Sequence, residues 1–213
     1  MTLAIGVSPG DDSGAVLVTD SLVQERRPDG VRALLCLTPR FERLPGARGA
    51  AIISAMTRGG WAPCSTATGI EAAAAELVAD LTANLSSTSW RFADGTEAEP
   101  RGEVVAAGLD VAGRVRLMRQ RTGQPAEWPN APAIIVGGAA AEIEVARPPP
   151  PTTLNEAIHS ALALARTILS TDAQRSGYSG LEDALSRGLV PAMAAPFWLA
   201  VVTGAGIDIR RIP

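Results

Sequence analysis

The period of apolar and polar positions changes repeatedly along this chain, and each change predicts an element. Thr2-Leu3-Ala4-Ile5-Gly6-Val7 is an apolar run of strand length, and Pro9-Gly10-Asp11-Asp12-Ser13-Gly14 is a cluster of turn formers. Ala15 to Ser21 reads as the returning strand, so the chain is expected to open on a hairpin. Gln24 to Gly30 reads as a charged turn, and Val31 to Leu37 as a strand. Phe41-Glu42-Arg43-Leu44 alternates apolar with charged and predicts another short strand before the Pro45-Gly46 turn. Ala50 to Met56 is built of small apolar residues, as suits a strand covered on both faces. Gly59 to Ser65 is a loop carrying Trp61.

The period then becomes helical. Ile70, Ala73, Leu77, Val78, Leu81 and Leu85 fall on one stripe, with Thr68 and Glu71 placed as a capping pair. Ser86 to Arg101 is polar and reads as loop. Glu103 to Leu109 and Val115 to Arg119 read as a hairpin around Asp110 to Gly113, and Ala133 to Val136 as a further strand after a turn region. Pro148 to Pro151 is a stiff extended connector within one domain. Thr153-Leu154-Asn155-Glu156 has the form of a capping box, and Leu154, Ile158, Ala161, Leu162, Ala165 and Leu169 give a second amphipathic helix. Phe197 to Thr203 and Ile207 to Ile212 close the chain as a hairpin. Two helices between two antiparallel sheets make a layered α+β domain of 213 residues.

Composition narrows the chemistry. Apolar residues make up 46% of the chain, which fits a globular core. No apolar run reaches the roughly 18 residues of a membrane span, and no signal-peptide pattern is visible, so a cytoplasmic protein is expected. The two cysteines, Cys36 and Cys64, are expected as reduced core thiols. Net charge is −3 and no basic stripe stands out, which argues against nucleic acid as a partner. All 19 basic residues are arginine, so no mechanism here uses a lysine amine. His159 is the single histidine, which excludes a multi-histidine zinc site; its helical setting reads as packing or surface. No phosphate-cradling glycine loop is present, and no cofactor or metal is expected.

One residue combines the parts of a nucleophile. Removal of Met1 leaves a free amine on Thr2, so hydroxyl and base sit on one residue. The opening hairpin returns Asp20 beside it, where a carboxylate orients the pair. A retained Met1 would acylate that amine and remove the base.

These residues, in this order, resemble the proteasome β-subunit family of N-terminal nucleophile hydrolases. Thr2-Leu3-Ala4-Ile5-Gly6 resembles the family's mature start, Thr-Thr-Thr-Val-Gly. Gly14 to Ser21 is similar to its second strand, Gly-Val-Val-Leu-Ala-Ala-Asp-Ser. Val104 to Leu117, with Gly108, Asp110 and Gly113, is similar to its later hairpin. Gly137-Gly138-Ala139 lies where the family has a Gly-Ser-Gly turn, and Leu154 to Asp172 resembles a long helix running into Asp-x-x-Ser-Gly. The resemblance implies a four-layer αββα sandwich of two antiparallel sheets flanked by helices. It also implies a threonine-type hydrolase of peptides or small amides, assembled as a homo-oligomeric ring.

The same resemblance assigns further roles. Arg40 stands where the family has its lysine, and Ser54 where a glycine N–H binds the oxyanion. Asp172 and Ser176 support the threonine, with Ser179 as an alternative to Ser176. In the resemblance Ile52 and Met56 flank the cleft; read on their own they are ordinary core residues. Three departures matter. Arginine cannot give up a proton as lysine does. The turn serine is replaced by Gly137 or Gly138, and Asp172 to Gly177 holds one residue more than the motif. These departures leave open a non-catalytic proteasome-like subunit acting in assembly or partner binding, and an acylase of small amides.

Overall fold

The opening apolar run forms β1 (Leu3–Ser8) and its return forms β2 (Ala15–Asp20). The computed structural model describes residues 3–26, 32–37, 41–55, 65–86 and 102–213, with the backbone alone for 23–26, 32–37 and Ala139. The remaining strands are β3 (Leu22–Arg26), β4 (Arg32–Leu37), β5 (Phe41–Leu44), β6 (Gly49–Ala55), β7 (Gly102–Leu109), β8 (Val115–Arg121), β9 (Ala133–Gly138), β10 (Phe197–Thr203) and β11 (Gly206–Ile212). The helices are α1 (Ile70–Ser86), α2 (Leu154–Ser176) and α3 (Leu181–Ser186). The chain is an α+β fold. Its strands form a five-stranded sheet in the order β11-β10-β2-β1-β9, a four-stranded sheet in the order β5-β6-β7-β8, and a β3–β4 hairpin. Every ladder is antiparallel.

Strand alternation sorts the side chains. On one face of the five-stranded sheet, Leu3, Ile5, Val16 and Val18 pack against Ala161, Leu164 and Ile168 of α2. On the other, Ala4, Leu17 and Ala200 meet Ile52, Val105 and Leu117 of the four-stranded sheet. Ala51, Val104, Ala106 and Met118 turn the opposite way, onto Ile70, Leu77 and Leu81 of α1. The sheets therefore meet each other, and neither long helix lies between them as the chain order had suggested. The contact is close: a Cβ at Gly6 would lie 2.7 Å from Leu117 Cδ1, which accounts for glycine inside β1.

Several local readings shift. Gln24 to Arg26, read as turn, belongs to β3, whose ladder with β4 shifts register between Val23 and Gln24. Gly69, at φ +88°, directly precedes α1, rather than Thr68 as a cap. The Thr153–Glu156 capping box forms as expected, and α2 continues past Leu169 to Ser176. Helix α3 was not anticipated. Cys64, Met56, Trp61 and Trp90 lie outside the described residues, as does the Cys36 side chain. No helix among the described residues is long and apolar enough to cross a membrane.

Half-buried Glu42 on β5 has its pKa raised by desolvation, so the folded state disfavours its charged form. The stability linked to this group is present below its ordinary value of 4.5 and is lost as pH rises through the raised one. Glu42→Gln is therefore expected to unfold at higher denaturant than the parent at pH 7, with the advantage shrinking at acid pH. Urea titrations at several pH values check this.

Candidate functional site

At one end of the five-stranded sheet the Asp20 carboxylate is fully buried. Its Oδ1 accepts the Leu3 backbone N–H at 2.9 Å, and its Oδ2 accepts that of Leu22 at 3.2 Å. One side chain thus ties the start of β1 to the end of β2 and the start of β3. The Leu3 nitrogen is also the atom through which Thr2 joins the chain. Next to Asp20, the Ser21 hydroxyl donates to the Pro196 carbonyl at 2.5 Å, which secures the same corner to the residue before β10. Thr2 itself and Arg40 lie outside the described residues.

The same end of the sheet-to-sheet interface carries a polar layer. Ser54, half-buried on β6, pairs with Glu103 on β7, and Glu103 pairs with Arg121 on β8. Glu103 is 7% exposed. Its Oε1 accepts from Arg119 Nε and, at 3.3 Å, from Arg121 Nε. Its Oε2 reaches the other sheet and accepts the Gly138 N–H at 2.5 Å. Gly138 is the register partner of Leu3, and Gly137 that of Ala4. The β5–β6 ladder ends at Phe41–Ile52, whereas β6–β7 continues to Ala55–Gly102. Ser54 therefore lies where β6 is paired on one side among the described residues. Ile52 is fully buried in the sheet-to-sheet core, as its reading as a core residue expects.

Helix α2 brings the remaining candidates. It begins beside Gly14, where Leu154 Cδ1 would stand 3.2 Å from a Cβ, and so runs toward the Asp20 end. Asp172 is half-buried near its end and accepts from the Tyr178 hydroxyl at 3.1 Å. Ser176 is exposed on the last turn, and Ser179 is exposed with its hydroxyl donating to Asp183. His159 is exposed, with Nδ1 2.8 Å from the Asn155 carbonyl. Asp110 serves its turn: it accepts the Ala112 and Arg114 N–H groups, and the Arg114 bonds hold its pKa below the ordinary range.

Arg119 reaches beyond the polar layer. It lines a cleft of about 370 Å³ with Glu127, Trp128, Ile134, Val136 and Arg147. The guanidinium of Arg116 lies 5.5 Å from the Trp128 ring centre, a cation–π distance. The sequence reading passed over Glu103 as the first residue of a strand. A carboxylate leading an apolar, doubly covered strand was the available signal, because buried charge requires partners.

No protein-family model matches the chain, and comparison with curated proteins finds no match. Solved structures do match in fold. Anbu from Hyphomicrobium sp. strain MC1 is 14% identical, over 99% of this chain and 87% of that one, with a TM-score of 0.60. A Gly-1 mutant of the same protein is 13% identical over 100% and 87%, with a TM-score of 0.57. Anbu from Yersinia bercovieri, described as an ancestral beta-subunit, is 12% identical over 99% and 87%, with a TM-score of 0.58. At these identities the likeness is one of fold: the chain shares the overall fold of the Anbu structures.

Asp20→Ala leaves two buried N–H groups without this acceptor, at a cost of roughly 1–3 kcal/mol each. Asp20→Asn keeps one carbonyl oxygen and is expected to lose less. Denaturant unfolding, with amide exchange at Leu3 as the local probe, distinguishes the two.

Proposed function

We propose that this protein is a threonine-type hydrolase of peptide or small-amide bonds, with Thr2 as its nucleophile once Met1 has been removed. In this reading the fold is a four-layer αββα sandwich of the N-terminal nucleophile type. The observation that carries it is the Asp20 carboxylate bonded to the Leu3 amide, because it fixes the backbone at the point where Thr2 is attached. The likeness to the Anbu structures supports the same reading at the level of fold.

The chemistry follows from a hydroxyl and an amine on one residue. Thr2 Oγ attacks the carbonyl carbon, and its proton passes to the Thr2 α-amine. The Ser54 N–H receives the developing oxyanion. The protonated amine returns its proton to the leaving amine as the C–N bond breaks, leaving an ester on Thr2. Water attacks that ester, with the amine again taking the proton, and frees the acid and Thr2. Arg40 supplies positive charge that lowers the amine pKa. Asp172 and Ser176 support the threonine from the α2 side. A cytoplasmic homo-oligomer is part of the same proposal.

A second reading has its own observations. The Ser176 side chain is exposed, and Gly137 and Gly138 offer no hydroxyl at the turn. Both favour a non-catalytic subunit that acts through assembly or partner binding.

Intact mass of the purified protein is expected to be one methionine short. Thr2→Ala is then expected to lower hydrolysis of a panel of fluorogenic peptides and small amides by a factor of about 10³ or more. Equal rates for Thr2→Ala and parent protein would leave only the binding role.

A further inference from the structure

At the end of β1 farthest from Leu3, a polar side chain is buried without a partner. Ser8 is 8% exposed, and its Oγ makes no hydrogen bond among the described residues. Buried hydroxyls in folded proteins ordinarily have a partner, because an unmet one is costly. Strand alternation turns Ser8 to the side of Ala4 and Gly6, the face that meets Leu117 of β8. There it lines a cleft of about 250 Å³ with Asp12, Arg116, Leu117, Pro129 and Asn130.

The cleft also holds one charge of each sign that the protein leaves uncompensated. Neither Arg116 nor Asp12 takes part in an ion pair among the described residues. Arg116 is half-buried, with its guanidinium over the Trp128 ring. Stacking of this kind leaves the in-plane N–H donors of a guanidinium free for a carboxylate. Asp12 stands exposed at the rim, in the left-handed region at φ +54°. Arg114, which also lines the cleft, is already bound to Asp110 at 2.9 Å.

We propose that this cleft binds a small zwitterion, a free α-amino acid with an apolar side chain. Arg116 takes the carboxylate, Asp12 the ammonium group, and the Ser8 hydroxyl gains the carboxylate as its missing partner. Leu117 and Pro129 receive the apolar side chain. A simple anion would leave Asp12 facing a like charge, and a simple cation would do the same to Arg116. The volume is below the roughly 300–1,000 Å³ of pockets for drug-sized ligands, which suits a ligand of this size. No base is bonded to the Ser8 hydroxyl, so the cleft binds rather than reacts. Five residues of strand, about 17 Å, separate Ser8 from Leu3. The inference therefore goes beyond the hydrolase reading and stands without it.

Titration of the isotope-labelled full chain, followed by the backbone amide resonances, tests the assignment. L-leucine is expected to shift the amides of Ser8, Asp12, Arg116 and Asn130 saturably. Isocaproate, which lacks the amine, and isoamylamine, which lacks the carboxylate, are each expected to bind at least about tenfold more weakly. Asp12→Asn removes the charge but keeps a side chain suited to positive φ, and is expected to weaken leucine by about tenfold or more. Arg116→Gln is expected to do the same. Ser8→Ala is expected to weaken leucine while raising the melting temperature of the free protein, since it removes an unmet polar group.

No saturable shift with leucine, valine or isoleucine up to about 10 mM would overturn the proposal and leave the Ser8 hydroxyl to water. Isocaproate binding as tightly as leucine, or leucine affinity unchanged in Asp12→Asn, would reduce the cleft to an anion site and overturn it too. So would unchanged affinity in Arg116→Gln or Ser8→Ala. Shifts confined to Leu3 and Asp20 would move the ligand to the other end of β1 and remove this site. Should a variant fail to fold, the three ligands compared on the parent protein decide alone.

Discussion

A single buried carboxylate governs the beginning of this chain. Asp20 lies at the end of a strand with no exposed surface, yet it is not stranded there, since it accepts backbone N–H groups from Leu3 and Leu22. Burial of an anion is tolerated only when such donors surround it. The consequence is geometric. The first described residue is fixed against the end of β2, at the corner that Ser21 anchors to Pro196. A chain terminus is ordinarily the least ordered part of a domain. Here β1, the first described strand, lies inside a sheet, flanked by β2 on one side and β9 on the other.

The fold supports that corner from both faces. Leu3 and Ile5 are held by α2, and Ala4 by the opposing sheet. Moving away from the apolar middle of the sheet-to-sheet core, the layer becomes polar at Ser54, Glu103 and Arg119. An ion pair buried between two sheets is a costly choice, because well-packed apolar groups of similar volume would often be as stable. The Glu103 Oε2 accepts the Gly138 N–H of the facing sheet, so the pair also ties the two sheets to each other.

Much of this could be read from the sequence, for identifiable reasons. The β1–β2 hairpin was legible because its turn formers separate two apolar runs, and α2 because Thr153 and Glu156 cap it. Gln24 to Arg26 were misread because charged residues on a small hairpin carry no apolar alternation. The final turns of α2, Thr171 to Ser176, lack the apolar stripe that marks its first half. The partnership of Glu103 with Gly138 joins residues on separate sheets, and no local pattern encodes such a contact. Asp20 returns to the start of β1 because one tight hairpin joins the two strands. Arg40 and Thr2 fall outside the described residues, so their roles rest on the sequence.

The central claim is that one residue carries both nucleophile and base. A peptide epoxyketone tests it directly, since its warhead closes a ring only on a hydroxyl and an amine of the same residue. Incubation with a panel of such compounds, followed by peptide mapping, is expected to place one adduct on Thr2 and none on Thr2→Ala. A protein that begins at Thr2 and stays unmodified across the panel, or is modified elsewhere, would contradict the account.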